Sequence, residues 1–467
     1  MSSARPLVLH VTPQLSLGGA GRALINLVRA SNAIGGFEHR VISLSTAQAA
    51  AVAEVADAGA AVSPLNEWTT LVARAEILQV HFWNDPELSR FMNAALPARR
   101  LLLWAHVRGW TAPHLLTPDI IAQSTFVAAS DPGTLALPDL KRHHREKRVD
   151  LVPPGVDPTR LSGMSRKRSR RIRIGYLGSL DFAKLDSGFV SWCAAVRGSV
   201  LFVIAGEGPA EAALRREIRA LGLEDRFRFL GFVRDIREFF AQIDILGHPL
   251  DAQSYAAGES CIQEAMTAGV PPVVLRGAGG SFHVRNRETG LVARDGRAYV
   301  KALESLVADP ELRLRLGKAA RAHARAHMTA EGCARRFHDL YAQVLTRPKE
   351  THRSLGGETR GAESFAASLG PWARPFRQSL RGGRGSMAAD RTIAKSSDNL
   401  INARAGGLLH YRLVHPEDLH LRLWSGLVFE ERGRFALAAS EFAAALHGLG
   451  DNRAVAYLAR VTARARG

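Results

Sequence analysis

Short apolar runs alternate with amphipathic helical stretches along most of this chain, in two successive blocks. In the first block, residues 7–11, 41–44, 77–80, 101–104 and 126–129 read as strands, with a helix over 20–30. In the second, strands at 171–177, 199–205, 227–230, 243–247 and 272–275 are separated by helices at 186–196, 210–221, 236–242 and 259–268. Helices then dominate, at 297–308, 311–327 and 330–345. Strands that alternate with helices need crossover connections, which means βαβ units and a largely parallel sheet. Two such blocks predict a bilobed α/β protein with a ligand cleft at the carboxyl ends of its strands.

The junction falls at Pro153-Pro154-Gly155, a turn signal, and divides a first domain over 1–155 from a second over 156–345. The basic stretch 165–171 just beyond it reads as an exposed linker or domain-edge loop. From 346 to 400, Gly, Ser, Arg and Pro dominate without sustained periodicity, and a flexible linker is expected. Residues 401–467 turn helical again, with helices at 421–433, 435–446 and 452–464. There Gly426, Phe429, Gly433, Phe435, Ala438, Phe442 and Ala445 sit at offsets similar to those of a tetratricopeptide hairpin, in which small residues permit close helix crossing. One repeat cannot bury its own core, so a docking or self-association role is expected.

Composition excludes several classes. Of 467 residues, 46% are hydrophobic and 23% charged, which rules out a disordered or fibrous chain. Cys193, Cys261 and Cys333 lie far apart, without the spacing of a zinc site or a disulfide framework. No apolar run approaches the ~20 residues of a membrane span, and residues 1–6 lack the pattern of a secretory signal. A cytoplasmic protein is expected. The net charge of +18 suits an anionic membrane face or phosphorylated ligands, and equally an Arg-rich proteome. Its basic residues lack interleaved aromatics, so nucleic acid is not an expected partner.

Candidate chemistry gathers at strand ends. The loop Leu15-Ser16-Leu17-Gly18-Gly19-Ala20-Gly21-Arg22 lies between a strand and a helix, where glycines let a ligand approach and a helix amino terminus favours anions. A tight turn explains it equally well. His81 and His106 end strands of the first block and face the expected cleft, as proton-transfer groups or as hydrogen-bonded wall. In the second block, Lys184 follows Gly178-Ser179, and the backbone at Phe232-Val233 can meet a base edge. Glu259, Ser260, Cys261 and Glu264 precede an Ala268-Gly269 helix stop. Five helical residues turn ~500°, leaving Glu259 and Glu264 about 140° apart. Glu259 is therefore expected at the helix start beside free amides, with Glu264 one turn in. The bland alternative is a capped helix with two solvated glutamates.

In order, these pieces resemble the retaining glycosyltransferases of family 4, the "group 1" enzymes of GT-B fold. The matching segments are Gly18-Gly19, Pro154-Gly155-Val156-Asp157, Tyr176-Leu177-Gly178, Ala205-Gly206-Glu207-Gly208-Pro209 and Leu230-Gly231-Phe232-Val233. Gln263-Glu264-Ala265-Met266, Ala268-Gly269-Val270-Pro271 and Gly290-Leu291-Val292 complete the run, over about residues 6–345. The resemblance implies two Rossmann-like doubly wound domains with a cleft between them, joined here by a small α-helical C-terminal segment.

It also implies a nucleotide sugar, UDP- or GDP-linked, held mainly by the second domain, and a saccharide or lipid-linked acceptor held by the first. Transfer would retain the anomeric configuration, with no cofactor and no catalytic metal, and the donor's own phosphate would serve as base. Glu264 matches the second of two family glutamates, the one expected on the donor ribose. The first falls at Ala256, so that either Glu259 substitutes for it by loop rearrangement or the sugar contact is lost. The usual Gly-Arg is Gly178-Ser179, and Lys184 matches the family lysine. The resemblance thus assigns catalytic or positioning roles to His106, His81 and Glu259. Donor contacts fall to Gly18, Gly19, Gly178, Ser179, Lys184, Phe232, Val233, Glu259, Ser260, Cys261 and Glu264. A weakened GT-B binding module recruiting partners through the helical tail is the alternative from another class; an epimerase or hydrolase on the same fold is the enzymatic one.

Overall fold

A computed structural model describes residues 5–167, 169–351, 361–383, 385–403, 405–446, 449 and 452–466. Arg168, residues 352–360 and Arg384, which fall in the basic stretch and the expected linker, lie outside them.

The first lobe is a seven-stranded parallel sheet of β1 (Leu7–Thr12), β2 (Glu38–Ser43), β3 (Ala61–Val62), β4 (Ile77–Phe82), β5 (Leu101–Ala105), β6 (Phe126–Ala129) and β7 (Val149–Leu151). Its order is β3-β2-β1-β4-β5-β6-β7, so the chain reverses direction across the sheet between β1 and β4. β1 and β4 are buried along their whole length, as parallel strands covered on both faces must be. The second lobe repeats the plan with β8 (Ile172–Leu177), β9 (Val200–Ala205), β10 (Phe227–Gly231), β11 (Ile245–His248), β12 (Pro272–Leu275) and β13 (Leu291–Ala293), ordered β10-β9-β8-β11-β12-β13. Both orders are the doubly wound kind, which places a crevice at the carboxyl ends beside each reversal. The loops after β8 and β9 touch there. Gly206 has φ +132, and a Cβ on it would lie 1.9 Å from the Gly178 carbonyl oxygen.

The expected division of the chain changes in two places. Helix Ala330–Leu345, read as the end of the second domain, packs on the first: Phe337 and Tyr341 share a core with Val8, Leu102 and Trp104. Its apolar stripe marks a buried face without naming the partner.

The expected linker over 346–400 carries helices Gly361–Ser368, Arg374–Arg381, Ser386–Ala394 and Asp398–Ile401. They build one core with the terminal helices Leu419–Glu431, Phe435–Ala445 and Arg453–Arg466. Phe365, Phe376 and Ile393 lie against Trp424, Phe442 and Tyr457 in that core. Buried Asp390 joins the two parts. It accepts from Ser379 Oγ at 2.6 Å and Tyr457 Oη at 2.8 Å, and Arg453 Nη1 lies 3.0 Å from its Oδ2. Helices of four to nine residues between glycines are too short to show a sustained period, which is why the stretch reads as linker. Gly426 sits against the Phe442 ring, where a Cβ would lie 2.5 Å from Cε1, so the close helix crossing is present.

The helical unit docks on the first lobe beside the cleft. Asn84 Nδ2 donates to the Gly406 carbonyl at 3.0 Å, Tyr411 Oη donates to Asn84 Oδ1 at 3.0 Å, and Asn399 Nδ2 donates to the Ala112 carbonyl at 2.8 Å. Among the described residues, no helix is long and apolar enough to cross a membrane.

Candidate active site

Between the lobes lies a cleft of about 590 Å³. Gly18 and Gly19 line it from the first lobe, at the start of helix Gly19–Ile34. That helix has no side-chain cap and no acidic residue in its first turn, so its amides face the cleft unneutralised. Opposite stands helix Ser260–Ala268, capped by Glu259 without a side-chain bond, with Ser260 and Cys261 of its first turn on the cleft wall. Two helix amino termini from different lobes thus meet one space.

Gly178, Ser179, Lys184, Phe232, Val233, Glu259 and Glu264 line the same cleft, as does His106. The structure therefore brings together every donor-side residue singled out from sequence. His81, expected with His106 to face the cleft, does not line it. It lies inside β4, fully buried, with its Nδ1 3.0 Å from His106 Nε2, and so sits behind His106 rather than on the wall. The strand runs two residues past the sequence estimate, which carries His81 into the sheet. The Phe232 amide is already engaged, donating to Glu207 Oε1 at 3.3 Å.

The two glutamates diverge as the helical geometry requires. Glu259 Oε1 lies 2.8 Å from Lys184 Nζ, and its Oε2 lies 3.3 Å from His248 Nε2. Burial works to raise the Glu259 carboxyl, but Lys184 and His248 override it and hold it at about 2. Burial works to lower the Lys184 ammonium, and Glu259 reverses that to a net rise. Glu264 Oε1 accepts from Arg160 Nη1 at 2.9 Å. Burial pushes the Glu264 carboxyl up, with the Arg160 guanidinium opposing. Ala256 is buried where the lobes touch, bridged to Val107, with the Arg108 amide donating to the Tyr255 carbonyl at 3.1 Å.

His248, Glu259 and Cys261 offer ligand atoms within 4.8 Å of one another. The Lys184 ammonium on the same carboxylate opposes a second cation there, and burial raises the Cys261 thiol well above its ordinary range. The cluster is held as a hydrogen-bonded ion pair.

Sequence reasoning missed Arg160 and gave no role to Arg22 or His248. Arg160 belongs to the turn Pro158–Leu161 just past the domain junction, and Arg22 ends the glycine loop. Arg160 is a cation just beyond the quoted Pro154-Gly155-Val156-Asp157, and Arg22 lies inside the quoted loop; that position was the available signal. With Lys184 and Arg234 the two arginines make four basic residues lining the cleft.

Known proteins resemble this chain in the sequence of its second lobe and in fold. Residues 162–323 match the family described as glycosyl transferases group 1. The lipopolysaccharide core biosynthesis glycosyltransferase LpsE of Rhizobium meliloti is 29% identical over 221 residues, which is 41% of this chain and 62% of that protein. A D-inositol 3-phosphate glycosyltransferase of Arthrobacter sp. is 26% identical over 226 residues, 44% of this chain and 52% of the relative. The chain thus spans about half to three-fifths of these relatives. The Anabaena protein Alr3699/HepE, solved in complex with UDP and glucose, superposes with a TM-score of 0.59 at 16% identity, over 73% of this chain and all of that one. The chain has the GT-B fold, and its second lobe matches the group 1 glycosyl transferases.

Proposed function

We propose that the protein is a retaining glycosyltransferase that moves a sugar from a UDP- or GDP-linked donor to a saccharide or lipid-linked acceptor. One observation carries this reading: two uncapped helix amino termini, one from each lobe, meet across a cleft that also holds Lys184 and Arg160. Oriented amides with a nearby ammonium suit a diphosphate whose negative charge grows as it leaves. Glu264 accepts from the donor ribose, Val233 meets the base, and Glu259 reaches the sugar in place of the side chain absent at Ala256. His106 positions the acceptor on the first-lobe side.

The LpsE resemblance supports a lipid-linked saccharide as acceptor, and the charge of +18 supports a cytoplasmic protein resting on an anionic membrane face. The tetratricopeptide-like terminal helices are proposed to contact a protein partner or a second copy. A binding module without transfer is the second reading, favoured by Ala256 and by the Lys184–Glu259 pair already closed on itself.

Calorimetry of UDP, GDP and their sugar conjugates against wild type and Glu264→Ala tests the proposal. One nucleotide should bind the wild type and not the variant. Silence of the folded wild type across the panel would favour the binding module.

A further inference from the structure

A continuous line of hydrogen-bonded side chains crosses the first lobe from the cleft to its far face. His106 lines the cleft, and its Nε2 lies 3.0 Å from His81 Nδ1. His81 Nε2 lies 3.2 Å from His10 Nδ1, and His10 Nε2 lies 2.9 Å from His39 Nδ1. Ser31 Oγ then stands 2.7 Å from both His39 Nε2 and His338 Nε2. His338, on helix Ala330–Leu345, is half-buried and reaches solvent.

Every interior ring meets its two neighbours through opposite nitrogens, and the hydroxyl sits between two nitrogens. A neutral imidazole carries one donor and one acceptor. The line therefore has two self-consistent states, with all protons pointing toward His338 or all toward the cleft. The free nitrogens at its ends, His106 Nδ1 and His338 Nδ1, have no hydrogen-bond partner among the described residues.

Packing alone would not select this row. Val8, Ile77 and Leu102 on the same sheet face are apolar, and buried Gln79, in register with His10, bonds to Tyr341 rather than joining the line. Burial lowers His10 and His81 well below their ordinary value, His39 to about 4 and His106 to about 3. At neutral pH the rings are uncharged, as both states require.

We infer that this line is a proton relay, carrying the acceptor's hydroxyl proton from His106 to solvent at His338 during transfer. The inference rests on the transfer reaction proposed above. In that reaction the bond from the anomeric carbon to the phosphate oxygen breaks and the bond to the acceptor oxygen forms. The diphosphate leaves with one more negative charge, and above a terminal phosphate pKa of ~6 the acceptor's proton must leave the site.

The leaving phosphate oxygen receives the acceptor's proton first and passes it to His106 Nδ1, which gives its Nε2 proton to His81; His81, His10 and His39 repeat the exchange. Ser31 takes a proton from His39 and gives its own to His338, which releases the Nδ1 proton to water. Every group ends neutral. When the cleft next holds bulk water, His106 Nδ1 returns its proton there, His338 takes one from solvent, and the tautomers reset. Ser31, His39 and His10 never touch substrate; they act through His106.

The test measures nucleotide release from UDP-glucose and GDP-mannose, with water as acceptor, by the full-length protein in mixtures of H₂O and D₂O. Wild type should give a curved proton inventory, the mark of several protons in flight. Ser31→Ala should slow release about tenfold, within the range of lost proton-transfer catalysis, and straighten the inventory, while nucleotide binding by calorimetry stays unchanged. Ser31→Thr should restore both, and His338→Gln, at the partly exposed end, should repeat the Ser31→Ala result without disturbing the core. A linear inventory in wild type, or Ser31→Ala and His338→Gln behaving as wild type, overturns the relay alone. Absence of nucleotide binding and release in folded wild type overturns the transfer reading, and the relay with it.

Discussion

Lys184 Nζ lies 2.8 Å from Glu259 Oε1 across the mouth of the second lobe, and each side chain is less than one-fifth exposed. Each ion is the other's main compensation for burial. Lys184→Met should destabilise the protein by about 3–5 kcal/mol, because it strands a buried carboxylate. Glu259 has its folded pKa depressed from 4.5 to about 2, so the pair's contribution is fully present above pH 4.5 and fades as pH falls toward 2. The melting-temperature gap between wild type and Lys184→Met should therefore be wide at pH 7 and close on acidification. A gap constant from pH 7 to pH 3 would contradict the pairing.

Arg160 and Glu264 form the second ion pair of the cleft, joining the inter-lobe segment to helix Ser260–Ala268. If Glu264 takes the donor ribose, Arg160 sets the carboxylate's direction and charge. A double-mutant cycle of Arg160→Met and Glu264→Gln, read by nucleotide calorimetry, should give a coupling of about 0.5–3 kcal/mol. Additive losses would mean that Arg160 only holds the lobes together.

Much of this architecture is legible because it repeats. The strand 126–129 and the helix 330–345 have the bounds expected from sequence, since an apolar run between turn residues and an amphipathic stripe each leave a local mark. β3 and β7, of two and three residues, are too short to leave one. Partnership is harder to read than existence. The stripe on Ala330–Leu345 does not say that Phe337 meets Trp104 of the other lobe. In the site, glycines and glutamates in a fixed order are readable, whereas Arg160 acts from an irregular turn. His10 and His39 sit inside strands, where nothing local distinguishes them from ordinary core positions. Only the register of β1 with β2 and β4 brings them together.

The buried histidines make stability depend on pH. His10, His39, His81, His106, His114 and His283 all have pKa values lowered by burial, to about 4 for His39 and His283 and about 3 for His106 and His114. In the unfolded chain they titrate near 6.5 and bind protons that the fold excludes. Stability is therefore full above pH 6.5 and falls as pH drops toward 4, by up to about 1.4 kcal/mol per pH unit for each ring. The melting temperature should fall steeply between pH 6.5 and pH 5, and less steeply in His114→Gln. A flat profile over that window would mean that the rings are accessible to protons in the folded state.

The seam between the helical unit and the first lobe gives a sharper test, because two glycines of equal φ differ only in surroundings. Gly406 and Gly433 both have φ +71. A Cβ on Gly406 would lie 2.5 Å from the Asn84 carbonyl oxygen, whereas a Cβ on Gly433 meets nothing within 4 Å. Alanine at either position carries the left-handed backbone cost of about 1–2 kcal/mol. Only Gly406→Ala also forces the seam apart, at a further cost of about 1–3 kcal/mol. Differential scanning calorimetry should rank Gly406→Ala clearly below Gly433→Ala. Equal melting temperatures would mean that the helical unit does not press against Asn84 in solution.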